Sequence, residues 1–236
     1  MLFGLVLYSC SENNFNTAEE DKTQSVNVQI REDFSCLDEV FGACSEDAVY
    51  SNLIEIPAYP GCYFNITLPY SHCADTYSGI STYTVGEPTI IDHTCFDYND
   101  DIESAIMNGT INQLTNLVLS QILEEATVQL IQASSAYTSG QSTFEISYIL
   151  GVCSQVCYTI EKEPNTGLAI IVPKTIECAF DCCKAFRKYK FDAKDDYVIT
   201  NESIFSPDID CEYTNVECPQ NTLYSTECLN GCGTYF

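Results

Sequence analysis

His72 and His93 are the only imidazoles of the chain, and each stands near a cysteine, as His72-Cys73 and His93-Thr94-Cys95. A Cys–His pair is an arrangement for nucleophilic catalysis, in which the imidazole helps to hold a thiolate. That chemistry needs a free thiol. In an oxidising compartment a disulfide beside an ordinary histidine is the expected state. No G-x-S-x-G elbow, H-E-x-x-H zinc motif, phosphate loop or dinucleotide fingerprint occurs. Among 34 acidic residues some carboxylates must lie close enough for acid–base work, but the sequence singles out no pair. No catalytic residue is therefore assigned.

Metal chemistry fares little better. Asp97-Tyr98-Asn99-Asp100-Asp101 imitates the start of a calcium loop, with oxygen ligands at alternate positions. The template wants Gly where Ile102 stands and a closing Glu where Asn108 stands. Helix capping explains these acids more simply. Cys153, Cys157, Cys178, Cys182 and Cys183 could be grouped as zinc thiolates, but paired C-x₂-C knuckles are absent. No metal ligand and no cofactor is assigned; calcium is the one ion these residues could be asked to hold.

The basic residues are unevenly placed. Lys184, Arg187, Lys188, Lys190 and Lys194 put five of only nine within eleven positions, interleaved with Phe186, Tyr189 and Phe191. One account is charge compensation inside a very acidic protein. The other is a contact strip for an acidic partner or an anionic group.

Cysteine number sets the compartment. Fifteen cysteines in 236 residues exceed what a chain in a reducing cytosol usually carries, so the sequence points to export. If Cys10 is set aside, fourteen remain, enough for seven disulfides. Five lie between Cys36 and Cys95, five between Cys153 and Cys183, and four after residue 207. Odd groups cannot close on themselves, so crosslinks must run between regions. Register suggests more: a hairpin turning near Thr166-Gly167 would set Cys153 opposite Cys182 and Cys157 opposite Cys178, leaving Cys183 to bond elsewhere. The net charge of −25 repels phosphate backbones and excludes nucleic acid as an expected partner.

The elements that must position these residues are mostly strands. From Phe34 to Asn99, short runs rich in Tyr, Thr and Ile are separated by turns at Pro60-Gly61, Ser78-Gly79 and Gly86-Glu87-Pro88, a pattern of antiparallel β. Tyr59, Tyr63, Tyr70, Tyr77 and Tyr83 there could form a binding surface, although strand packing is the commoner use of tyrosine. Asp100 or Asp101 offers an N-cap, and one long helix is expected to about Ala136, apolar on two sides and therefore covered on two sides. Two strands then flank Pro164-Asn165-Thr166-Gly167. The expected fold is α+β, mostly antiparallel β with one long central helix, disulfide-rich.

At the start, Leu7-Tyr8-Ser9-Cys10 resembles the lipobox of bacterial lipoproteins, in which a small residue precedes the cysteine that takes up lipid. Ser11-Glu12-Asn13-Asn14 and Glu19-Glu20-Asp21 follow, similar to the acidic tether of Bacteroidota-type surface lipoproteins. Tyr8 is bulkier than that box prefers, and Met1–Gly4 carries no Lys or Arg.

The resemblance implies a signal peptide over 1–9, a lipid-anchored tether over 10–33 and exposure on the outer membrane. A disulfide-braced domain would follow over 34–206, with a small Cys-rich cap over 207–236. The function expected is noncatalytic: an accessory subunit of an outer-membrane protein complex, or an adhesion or ligand-binding module. An extracellular hydrolase using paired carboxylates is the alternative.

Overall fold

Alternation of apolar and polar residues builds the larger of two sheets. In β2 (Tyr59–Ala74), Phe64, Ile66 and Leu68 are fully buried while Asn65, Thr67 and Pro69 face outward. In β5 (Thr143–Gly151), Phe144, Ile146, Tyr148 and Leu150 repeat the pattern. A period of two marks a sheet with one face in the core. The computed structural model describes residues 36, 39–40, 44, 46–74, 80–163, 166–178, 182–194, 196–205, 211, 216–230, 233 and 235–236. The expected signal peptide, Cys10, the tether, Tyr77 and Cys232 lie outside them.

The seven-stranded sheet runs β1 (Glu46–Ile56), β2, β3 (Ser81–Val85), β5, β8 (Cys182–Phe191), β9 (Tyr197–Phe205), with β4 (Thr89–His93) also paired to β2. Its pairings are antiparallel except β3 with β5, which run parallel. Parallel neighbours need a long crossover, and here it contains the helices. A four-stranded sheet has β6 (Cys153–Lys162) at its centre, between β7 (Ala169–Glu177) and the short β10 (Thr222–Ser225) and β11 (Leu229–Asn230). Residues 34–236 thus fold as one unit, with the segment after 207 contributing β10 and β11 to it.

The helical stretch is divided into three: α1 (Phe96–Asn108), α2 (Ile111–Gln132) and the single-turn α3 (Ser135–Thr138). It starts before Asp100, with Cys95 as N-cap. It breaks at Gly109, whose φ of 68° closes α1 in the left-handed conformation that only a residue without a Cβ adopts at little cost. The break takes Met107 off the expected apolar stripe; it is 79 % exposed, whereas Ile111, Val118 and Ile122 are buried. The expectation of cover on two sides fits α2. Val118, Leu119, Ile122, Leu123, Ala126 and Ile131 are all buried. Its Thr115 hydroxyl bonds Tyr158 of the small sheet, while Gln129 and Glu124 accept bonds from Asn52 and Tyr197 of the large one.

Six disulfides join Cys36–Cys182, Cys44–Cys73, Cys62–Cys95, Cys153–Cys211, Cys157–Cys218 and Cys178–Cys228. Cys183 is bonded as well, to a partner outside the described residues. The pairing expected within one hairpin is overturned. In the β6–β7 ladder Cys157 faces Lys174, and Cys178 N–H donates to the Cys153 carbonyl at 2.8 Å. Cys153 therefore lies beside Cys178, and Cys182 takes no part in that ladder. The physical reason is that β7 ends at Glu177 and the chain resumes as β8 in the other sheet.

Candidate functional site: a carboxylate cleft and a basic strand

Two clusters gather charged groups, and they differ in kind. The first lies where the β3–β4 connection, Gly86-Glu87-Pro88, crosses the C-terminal end of β7. Gly86 N–H donates to Pro69 O at 2.9 Å. A Cβ on Gly86 would sit 2.9 Å from the Pro69 ring and 3.1 Å from Val40, so no larger residue fits. This close passage holds Glu87 against Thr175, Glu177 and Tyr235. Gly151 performs the same service for Glu177, since a Cβ there would stand 3.0 Å from its side chain. Val49, Thr67, Pro69, Pro88 and Thr89 complete a cleft of about 360 Å³.

Glu87 is half-buried, and burial of its carboxyl raises its pKa to about 7. Hydrogen bonds from Tyr235 (2.7 Å) and Thr175 oppose the rise, while the nearby Glu177 adds to it. A carboxylic acid titrating near neutrality beside a second carboxylate is the raw material of general acid–base chemistry. It also ties stability to pH. An unfolded carboxyl loses its proton near 4.5, whereas the folded one holds it to about 7. Stability from this group is thus intact below the first value and falls as pH rises toward the second.

Glu87→Gln, which fixes the neutral form, is expected to match the wild type near pH 4 and to exceed it by on the order of 2 kcal/mol near pH 8. Urea unfolding across that range measures the difference. A gap that does not change with pH would rule out this titration as its cause.

The second cluster is β8, where strand geometry divides the basic residues between two faces. Arg187 shares the inner face with Ala185, Tyr189 and Phe191. Its Nε donates to Glu202 Oε1 at 2.6 Å, and a second guanidinium nitrogen lies 3.7 Å from Glu124. The guanidinium sits 4.6 Å from the centre of the Phe236 ring, a cation–π contact. On the outer face Lys184 pairs with Glu39 at 2.6 Å and Lys188 with Glu145 at 3.0 Å. Lys190 and Lys194 are exposed, Lys194 in the turn that Asp192 closes by accepting from its backbone N–H. The five cations do not form one surface. Alternation along β8 could have placed Arg187 inside from sequence; its carboxylate partners, on α2 and β9, carry no local signal.

The remaining candidates find structural roles. Cys73 and Cys95 are oxidised, so neither histidine has a thiol to activate. His93 is buried, with Nε2 donating to Ile171 O at 2.9 Å and Nδ1 accepting from Cys95 N–H at 3.2 Å; burial lowers its pKa. The five cysteines considered for zinc are all in disulfides. Residues 97–101 lie within α1, where successive side chains turn by about 100°. Asn99 accepts from Ile171 N–H and Asp101 from the Tyr59 hydroxyl. Among the described residues no three His, Cys, Asp or Glu side chains converge to hold a metal. Tyr59 and Tyr83 are buried in the core. No helix of the described residues is long and apolar enough to cross a membrane. No family model, curated protein or solved structure matches the chain.

Proposed function

We propose that the chain is an exported, noncatalytic surface protein, held at the outer membrane by lipid on Cys10. There it serves as an accessory subunit of a membrane complex or as an adhesion or ligand-binding module. The observation that carries this is the state of the cysteines: all thirteen among the described residues are in disulfides. Such bracing suits a chain working outside the cytosol, beyond chaperone protection. The N-terminal Leu7-Tyr8-Ser9-Cys10 supports the anchor. Two or three acyl chains there would make a durable tether.

Purification from the native membrane in mild detergent, followed by mass spectrometry, tests the proposal. The expected result is a mature N-terminal peptide that begins at lipid-modified Cys10, with another membrane or surface protein in stoichiometric amount. An N-terminus beginning beyond Cys10 would remove the anchor.

The Glu87–Glu177 cleft supports a second reading, an extracellular hydrolase using paired carboxylates. In its favour are a proton on Glu87 near neutrality and a cleft walled by threonines and prolines. Against it, Glu87 is tied by two hydroxyl donors. Turnover of a glycoside or ester panel that is lost in Glu87→Gln with the fold intact would establish this reading; no turnover would leave the cleft a structural joint.

A further inference from the structure

The strand β9 is an edge strand. Among the described residues it pairs only with β8, and from Thr200 to Phe205 every residue is exposed. Val198, Ile204 and Phe205 are 58 %, 50 % and 70 % exposed. Proteins usually blunt such an edge with Lys, Pro or an inward charge, because its free N–H and C=O groups template pairing with another chain. β9 contains neither Lys nor Pro; its guards are Glu202, whose charge faces inward to Arg187, and an irregularity of the ladder between Lys188 and Tyr189, and both leave the outer side of Asn201, Ser203 and Phe205 exposed. A cover over that outer side would complete the protection.

The sequence of the strand contains a candidate. Asn201-Glu202-Ser203 is an Asn-x-Ser acceptor for N-linked glycan, and Asn108-Gly109-Thr110 is another of the Asn-x-Thr kind. We infer that Asn201 and Asn108 are N-glycosylated and that the sugar on Asn201 covers the β9 edge. Asn201 faces Lys188 and Ser203 faces Phe186 in the ladder, so both lie on the outer face. Beside them is a depression of about 390 Å³ bounded by Thr84, Ser147, Lys184, Phe186 and Phe205, open ground for a bulky group. Asn108 ends α1 at the exposed left-handed turn of Gly109, and Thr110 is exposed as well.

A third acceptor pattern, Asn65-Ile66-Thr67, differs. Asn65 is half-buried on β2, which is paired on both sides there by β1 and β4, and its amide donates to Asp92 at 3.1 Å. It stays unmodified.

In the transfer the Asn amide nitrogen forms a bond to C1 of a sugar, and the bond from C1 to the diphosphate of a lipid-linked oligosaccharide breaks. The amide gives up one proton and the lipid diphosphate leaves. The donor and its transferase belong to the export compartment. This goes beyond the surface-protein proposal: it requires the chain to meet the lipid-linked donor and its transferase during export, before any anchoring at a surface. The N-terminal peptide and the Asn peptides are separate products of one digest, so the anchor and the glycans stand or fall independently.

The test uses the protein from its own source. Peptide N-glycosidase in heavy-oxygen water should convert Asn201 and Asn108, and not Asn65, to labelled Asp. Ser203→Ala and Thr110→Ala should each remove one glycan without touching the asparagine. Loss of the Asn201 glycan should tighten self-association, with the dissociation constant by size exclusion falling on the order of tenfold; loss of the Asn108 glycan should not. Unlabelled Asn201 and Asn108, or label at Asn65 alone, would overturn the assignment. Unchanged association in both variants would overturn the guarding role.

Discussion

Replacing Cys36 and Cys182 together by alanine is expected to lower stability by about 5 kcal/mol, because a link across 146 residues removes much of the freedom of the unfolded chain. Cys36 and Cys182 pack with Val40 and Ile149 in a small apolar cluster of their own on the large sheet. Lys184 and Glu39 add an ion pair beside it. The same substitution at Cys44 and Cys73, which are 29 residues apart, should cost less, about 3–4 kcal/mol. Guanidinium unfolding of the two double variants compares them directly. Equal losses would mean that native packing, rather than the length of the closed loop, governs the effect.

Arg187→Ala should lower stability by about 3 kcal/mol. Its side chain is 11 % exposed, and removing it leaves Glu202 and Glu124 without their cation and takes the packing partner from Phe236. Glu202 and Glu124 keep access to water, which holds the loss at the low end for a broken buried pair. Lys190→Glu, on the exposed face, should change stability by no more than about 0.5 kcal/mol. If the outer face of β8 is a contact for an acidic partner, Lys188→Glu with Lys190→Glu should abolish binding in a protein that still unfolds cooperatively. Binding that survives this reversal would leave Lys184, Lys188 and Lys190 as charge compensation only.

What the sequence disclosed depended on how local each signal was. Runs such as Cys62–Leu68 and Phe144–Leu150 alternate within one strand, and β2 and β5 lie over them. The odd cysteine groups required links between regions, and Cys36–Cys182 and Cys153–Cys211 are such links. The individual pairings were not legible, because a register shift changes which cysteines are opposed while the turn residues stay the same. A single glycine costs about 1 kcal/mol, which a good helix can bear, so the pattern predicts helix through Gly109; the cap bonds from Gly109 N–H to Ile106 O and from Thr110 N–H to Ala105 O show the break instead. The Glu87 cleft was illegible for a different reason. Glu87, Glu177 and Tyr235 come from the two sheets and the extreme C-terminus, and nothing near any of them marks it among 34 acids.

The order of the disulfides bears on how such a chain could be made. None of the six pairs joins cysteines that are neighbours in the sequence: Cys44–Cys73 interleaves with Cys62–Cys95, and the three crosslinks from Cys153, Cys157 and Cys178 overlap one another on the way to the C-terminal segment. A chain oxidised in the order of its emergence through a translocation pore would first join Cys36 to Cys44 and then Cys62 to Cys73, and both bonds are wrong. Thiol–disulfide exchange must then reshuffle them, a step of seconds to hours set by the isomerase at hand. Yield from a host whose export compartment oxidises thiols without isomerising them would fall for this reason, whatever the stability of the finished protein.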